Sequence, residues 1–230
     1  MKLLGATASY DRGEILRKAE KYRSQRRFRK AIREYEKILS ADPQDIDVHI
    51  RIAPVYIRAG RKDRAKTSLR QVIAWYEKTG FTEKAIATLR LALKVDHRDL
   101  ATNLNLVDLY LGKNHVVEAR NVLDRARKAF RGRRFLKEAL AVEEKILGIA
   151  PDDFRAQVSV VRLLWKNGNR REALERLRRM EEHWARRGNK PYWRKTRRLS
   201  CLLAPSLSTS WAYFLSFFIS PVPHGLAKKG

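Results

Sequence analysis

Residues 43–60 read PQDIDVHIRIAPVYIRAG, residues 97–114 read HRDLATNLNLVDLYLGKN and residues 151–168 read PDDFRAQVSVVRLLWKNG. Laid over one another, these stretches decide the fold. Pro43, His97 and Pro151 open them, and Pro205 follows at the same interval of 54 residues. Asp45, Asp99 and Asp153 keep that interval, as do Gly60, Asn114 and Gly168. Beyond the quoted segments it relates Ala65, Ala119 and Ala173, then Ala31, Ala85 and Ala139, then Tyr22, Tyr76, Phe130 and Trp184. No insertion or deletion interrupts the copies. A period of this kind means stacked units that bury their apolar faces on one another.

Each unit reads as three helices. The first begins at the Asp, whose carboxylate can accept from the free N–H groups of the first turn. In the first unit it spans 46–59, with Ile52, Ala53, Val55 and Tyr56 as an apolar stripe, and Gly60 ends it. A second helix over 62–78 carries Ala65, Leu69, Val72, Ile73 and Tyr76, and Gly80 breaks it. The third, over 82–95, turns Ala85, Leu89 and Ala92 inward. The chain before Pro43 supplies two more helices. With 7 prolines and 11 glycines placed mainly at the breaks, and Ala, Leu, Arg, Lys and Glu between them, the class is all-α.

Small residues at fixed offsets let a facing helix insert a large one. Over 12–45, Ala19 and Tyr22 lie in one helix and Ala31, Tyr35, Ile38 and Pro43 in the next. Over 46–79, Ala53, Tyr56, Ala65 and Leu69 repeat the pattern, with Glu77 where its proline stands. Through these residues the chain resembles tetratricopeptide-repeat proteins of the bacterial type, across 12–204. The resemblance implies a right-handed helical-repeat solenoid of 11 helices with a C-terminal capping helix. It also implies a non-catalytic platform for protein partners. The expected organisation is a flexible N-terminus at 1–11, repeats at 12–45, 46–99, 100–153 and 154–204, and an apolar tail at 205–230. Tetratricopeptide arrays alternate inner and outer helices, whereas a three-helix period reverses that parity at each unit. Either equivalent helices swap faces, or the units stack as three-helix layers.

Fifty-one Lys and Arg against 25 Asp and Glu give a formal charge of +26. Such a charge draws anionic partners and opposes self-association. It is gathered at the turns between second and third helices. Arg26, Arg27 and Arg29 crowd the first; Arg131, Arg133 and Arg134 the next full one; Arg186, Arg187, Lys190 and Arg194 the last, with Tyr192 and Trp193 interleaved. Equivalent turns of a solenoid share an edge, so these are candidates for a discontinuous basic ridge binding carboxylates or phosphates. The alternative is that they complement helix C-termini.

From 199 to 226 there is no charged side chain, and 199–219 could just span a bilayer. Pro205 and six Ser or Thr residues within that run argue instead for one more helix over 206–219, stopped by Pro221 and Pro223. Register then places Trp211, Phe214, Leu215 and Phe218 inward. It leaves a half-apolar outer face that includes Tyr213 and Phe217, and these two with Trp211 are the candidate docking residues.

No catalytic site, cofactor site or metal site is expected. The five histidines are scattered, and the single Cys201 excludes an internal disulfide and sits at a core position of the repeat. No signal-peptide run opens the chain. A reducing, cytoplasmic setting follows, with peripheral membrane contact as an alternative. The expected function is a scaffold for a protein with acidic or amphipathic segments. Nucleic-acid binding is second, although no periodic base-reading pair is present, and a membrane-held adaptor is third.

Overall fold

The computed structural model describes residues 11–218. Most of the expected flexible N-terminus, and the prolines at 221 and 223, lie outside the described residues. The chain divides into two compact units, Met1–Lys113 and Asn114–Gly230. The first holds α1 (Arg12–Ser24), α2 (Phe28–Ala41), α3 (Ile46–Arg58), α4 (Lys62–Lys78), α5 (Thr82–Val95) and α6 (Leu100–Gly112). The second holds α7 (Val116–Ala129), a 3-10 turn (Arg133–Phe135), α8 (Leu136–Ile149), α9 (Phe154–Lys166), α10 (Arg170–Arg186), α11 (Lys190–Leu203) and α12 (Leu207–Leu215). Among the described residues there are twelve helices and no strand, as the 54-residue register implies. Within each unit consecutive helices pack on one another, and α9 also touches α11 across α10.

The repeat aspartates act as N-caps. Asp45 accepts from the Val48 N–H at 3.1 Å, Asp99 from Thr102 at 3.2 Å and Asp153 from Ala156 at 2.9 Å. Each also takes a cation from the helix two elements earlier: Arg12 of α1 on Asp45, Arg70 of α4 on Asp99, Arg120 of α7 on Asp153. One carboxylate thus starts a helix and ties it to the preceding unit. The Arg12 hydrogen bond holds the Asp45 carboxyl below its ordinary value. At Asp153 burial pushes upward, but Arg120 and the Ala156 N–H outweigh it and the net direction is down. A depressed folded-state pKa stabilises fully above the free carboxyl value of about 3.9 and is lost as pH falls through the folded value. Asp153→Ala should therefore cost about 1–2 kcal/mol at neutral pH. In urea unfolding followed by circular dichroism, the gap from wild type should close as pH falls from about 4 toward 2.

The stripes pack as the register requires. Ile52, Ala53, Val55 and Tyr56, then Ala65, Leu69, Val72 and Ile73, then Ala85, Leu89 and Ala92 are all buried, while Tyr76 is half-buried. Ala65, Ala119 and Ala173 are wholly enclosed, which is why that column stays small. One column of the α7–α8 contact is charged. Arg127 donates from Nε at 2.9 Å and from Nη2 at 2.6 Å to the two oxygens of Glu143, which is 5% exposed. Fifty-four residues earlier stand Ile73 and Leu89, both buried. Fifty-four later stand Glu181 and Arg197, paired at 2.6 Å with the polarity reversed. The same place is built in three ways.

The turns after the second helices differ. α4 and α10, each of 17 residues, pass through Gly80 at φ 76° and Gly188 at φ 65°. The equivalent residue in the middle unit is Arg134. A Cβ disfavours that left-handed conformation, and the chain avoids it. α7 has only 14 residues, the backbone turns at Gly132 with φ 112°, and the 3-10 turn leads into α8. Arg26, the equivalent before the first full unit, takes the left-handed conformation itself at φ 57°.

The final helix departs from the register. The repeat would cap it at residue 207, but Ser206 is the cap, closing a reciprocal pair of hydrogen bonds with Thr209. Moving the start by one residue rotates the faces by about 100°. Three members of the stripe expected inward are consequently turned out: Trp211, Phe214 and Phe218 are exposed, Leu215 stays half-buried beside Ala212 and Tyr213, and Ser216 is buried. The uncharged run is no single span. α11 ends at Leu203, α12 has nine residues, and no helix among the described residues is long and apolar enough to cross a membrane.

Candidate interaction surfaces

Of the basic turns, that between α1 and α2 lies in the first unit. Arg26, Arg27 and Arg29 are exposed there and meet no carboxylate among the described residues. In the second unit Arg131 and Arg133 are likewise exposed and unpaired among the described residues, while Arg134 lies over the Phe135 ring at 4.6 Å. The rebuilt turn therefore gathers three cations on a loop without a counter-charge, and a dipole role does not explain Arg133 and Arg134, which precede α8.

The last cluster is largely engaged in structure. Arg187 meets Asp152 at 2.7 Å and Arg186 lies 3.7 Å from Glu182. Arg194 donates to the carbonyls of Ser216 at 2.8 Å and Phe217 at 3.0 Å, with its guanidinium over the Phe217 ring. Arg197 donates to the Ala212 carbonyl at 2.7 Å and stacks on Trp193. These two arginines satisfy carbonyls at the C-terminal end of α12 and complement its dipole. Of the four candidates there, Arg186 and Arg187 meet carboxylates and Arg194 meets carbonyls, while Lys190 has neither among the described residues.

A site that the turn-by-turn reading missed lies between α9 and α11. A cavity of about 360 Å³ is lined by Phe154, Val158 and Arg162 of α9 and by Lys195, Arg198, Leu199 and Leu202 of α11. The spacing was a readable signal: 154, 158 and 162 recur every four residues, and 195, 198, 199 and 202 share one helical face. Tyr192 stacks on Phe154 at 4.3 Å and fixes one wall. Arg162, Lys195 and Arg198 are exposed, and no carboxylate neutralises them among the described residues. The first and third helices of this unit thus share a face, and that face is apolar at its floor and cationic at its rim.

On α12, Trp211 stacks with Phe214 at 5.7 Å and Phe214 lies against Phe218 at 5.2 Å. Tyr213 is half-buried and Phe217 sits under Arg194, so of the three docking candidates Trp211 stands freest at 61% exposure. Cys201 is half-buried, 3.5 Å from Ser210 of α12, rather than in the deep core. Among the described residues no three His, Cys, Asp or Glu side chains gather as metal ligands.

Comparison with solved structures gives similar chains at low identity. MamA protein is 17% identical, with 85% of this chain and 97% of that chain covered and a TM-score of 0.27. A tetratricopeptide repeat protein from Parabacteroides merdae is 12% identical, with 90% and 98% covered and a TM-score of 0.27. YrrB, described as a TPR protein with an unusual peptide-binding site, is 14% identical, with 88% and 91% covered and a TM-score of 0.27. No curated protein matches the sequence significantly. The family profile described as tetratricopeptide repeat matches residues 22–80, from the end of α1 through α4. The tetratricopeptide-repeat profile thus matches a segment of the first unit, and the helix–turn–helix layout of that segment continues through both units, so the chain is an all-helical repeat protein with a tetratricopeptide-like segment at 22–80.

Proposed function

We propose that the chain is a non-catalytic scaffold that binds an acidic, amphipathic segment of a partner protein. The α9–α11 groove carries this reading: an apolar floor of Phe154, Val158 and Leu199, with Leu202 at its exposed edge, lies beside three uncompensated cations, Arg162, Lys195 and Arg198. Such a lining accepts a segment that offers apolar side chains on one face and carboxylates beside them. The basic turns at Arg26–Arg29 and Arg131–Arg134, with Arg186, Arg187 and Lys190, add long-range attraction rather than shape.

The test is fluorescence anisotropy with a labelled amphipathic peptide of Glu and Leu, beside a labelled single-stranded RNA, over a series of salt concentrations. Arg162→Gln/Arg198→Gln should weaken peptide binding about tenfold or more, two charge contacts at a partly desolvated groove being lost. Arg131→Gln/Arg133→Gln/Arg134→Gln should weaken it about two- to fivefold, chiefly at low salt. RNA bound more tightly than peptide, with a steep salt slope that the turn variant flattens, would replace this reading with a nucleic-acid one.

A further inference from the structure

We propose that α12 is a docking face for an anionic lipid surface. Its aromatic side chains lie outside the α9–α11 groove, although Leu202, Lys195 and Arg198 border both surfaces. Four aromatic side chains from one short stretch stand out of the fold: Trp211 at 61%, Phe214 at 53%, Phe217 at 52% and Phe218 at 74% exposure. Leu202 of α11, the helix on which α12 packs, is 66% exposed as well. Leaving that much apolar surface in water is costly unless something covers it.

The helix is presented rather than loose. Arg194 and Arg197 hold the carbonyls of Ala212, Ser216 and Phe217, and the Ser206–Thr209 box fixes the other end. The aromatic face therefore points outward as a set piece, with Trp211 stacked on Phe214 and Phe218 tilted against Phe214.

Charge selects the occupant. No acidic residue occurs anywhere from 199 to 230, and the exposed Lys195 and Arg198 of α11 have no carboxylate partner among the described residues. A second copy of a chain with a formal charge of +26 would bring like charges together. An anionic bilayer offers what both features need: an interfacial zone that takes Trp and Phe rings, and headgroups that take Lys and Arg. α12 lies along such a surface and does not cross it.

The experiment is co-sedimentation of the full chain with vesicles of phosphatidylcholine, with and without phosphatidylserine. Wild type should bind only the phosphatidylserine vesicles. Trp211→Ser/Phe214→Ser/Phe218→Ser should lose about tenfold or more in affinity, keep its far-ultraviolet circular dichroism and keep peptide binding at the α9–α11 groove. Phe218→Ser alone, at the most exposed ring, guards against misfolding of the triple variant and should lower binding as well. Quenching by brominated lipid should be clearly larger for wild type than for Trp211→Phe, which still binds. Equal vesicle binding by wild type and the serine variants would overturn the proposal, since the basic surface alone would then hold the lipid. So would the absence of vesicle binding, or a wild-type dimer in light scattering that the serine variants dissolve.

Discussion

Glu143→Leu should destabilise the protein by about 3–5 kcal/mol, and Arg127→Ile added to it should restore most or all of that loss. The single substitution leaves the Arg127 guanidinium, 11% exposed at its side chain, without the carboxylate that accepts two of its N–H groups. Asp124 keeps a single hydrogen bond to Nη1 at 3.4 Å, but its side chain is 45% exposed and it leaves Nε and Nη2 without the acceptors that Glu143 gives them. The double variant writes into the second unit what the first already contains, Ile73 and Leu89 in the same column. The reversal Arg127→Glu/Glu143→Arg should also fold near wild-type stability, because Glu181 and Arg197 already hold that polarity one unit on. Urea unfolding of the wild type, both singles and both doubles closes the cycle. A loss below about 1 kcal/mol for Glu143→Leu would mean that the pair is solvated and contributes as a surface ion pair does.

The same column shows how far the sequence alone could be read. The 54-residue interval located every helix of the repeats, because caps, glycines and small residues act locally and recur at fixed offsets. It did not identify the charged core pair, since Arg127 counts as one more cation in a basic cluster until its partner 16 residues away is seen to face it. The turn at Arg131–Arg134 was legible as basic but not as rebuilt. That needed the recognition that an arginine occupies the site where the neighbouring units place left-handed glycines. The terminal helix was misread in register for an equally local reason: Ser206 caps better than Leu207, and one residue of slippage turns the faces by about 100°. The groove between α9 and α11 is half legible: the spacing marks one face on each helix, but the nearest lining residues, Arg162 and Lys195, are far apart in sequence and meet across a third helix, and no local rule brings them together.

Trp184→Ala should cost about 3–5 kcal/mol, and its effect should reach the groove. Trp184 is 4% exposed and its Nε1 donates to Gln157 Oε1 at 2.9 Å. Its ring meets Tyr192 edge-on at 4.8 Å and Phe154 at 5.9 Å, and those two rings stack on each other at 4.3 Å. Helices α9, α10 and α11 are thus joined through one aromatic cluster. Deleting the indole opens a hole beneath Phe154 and leaves Gln157 without its donor, so both the transfer and the cavity penalties apply. Trp184→Phe should lose only about 1–2 kcal/mol, since Phe130 fills the equivalent position of the preceding unit and the ring contacts survive. Thermal unfolding separates the two variants. Because Phe154 is also a wall of the cationic groove, Trp184→Ala at a temperature where it remains folded should bind the Glu–Leu peptide more weakly than Trp184→Phe. Equal peptide affinity for the two would mean that the groove keeps its shape without the cluster, and that its cations alone govern binding.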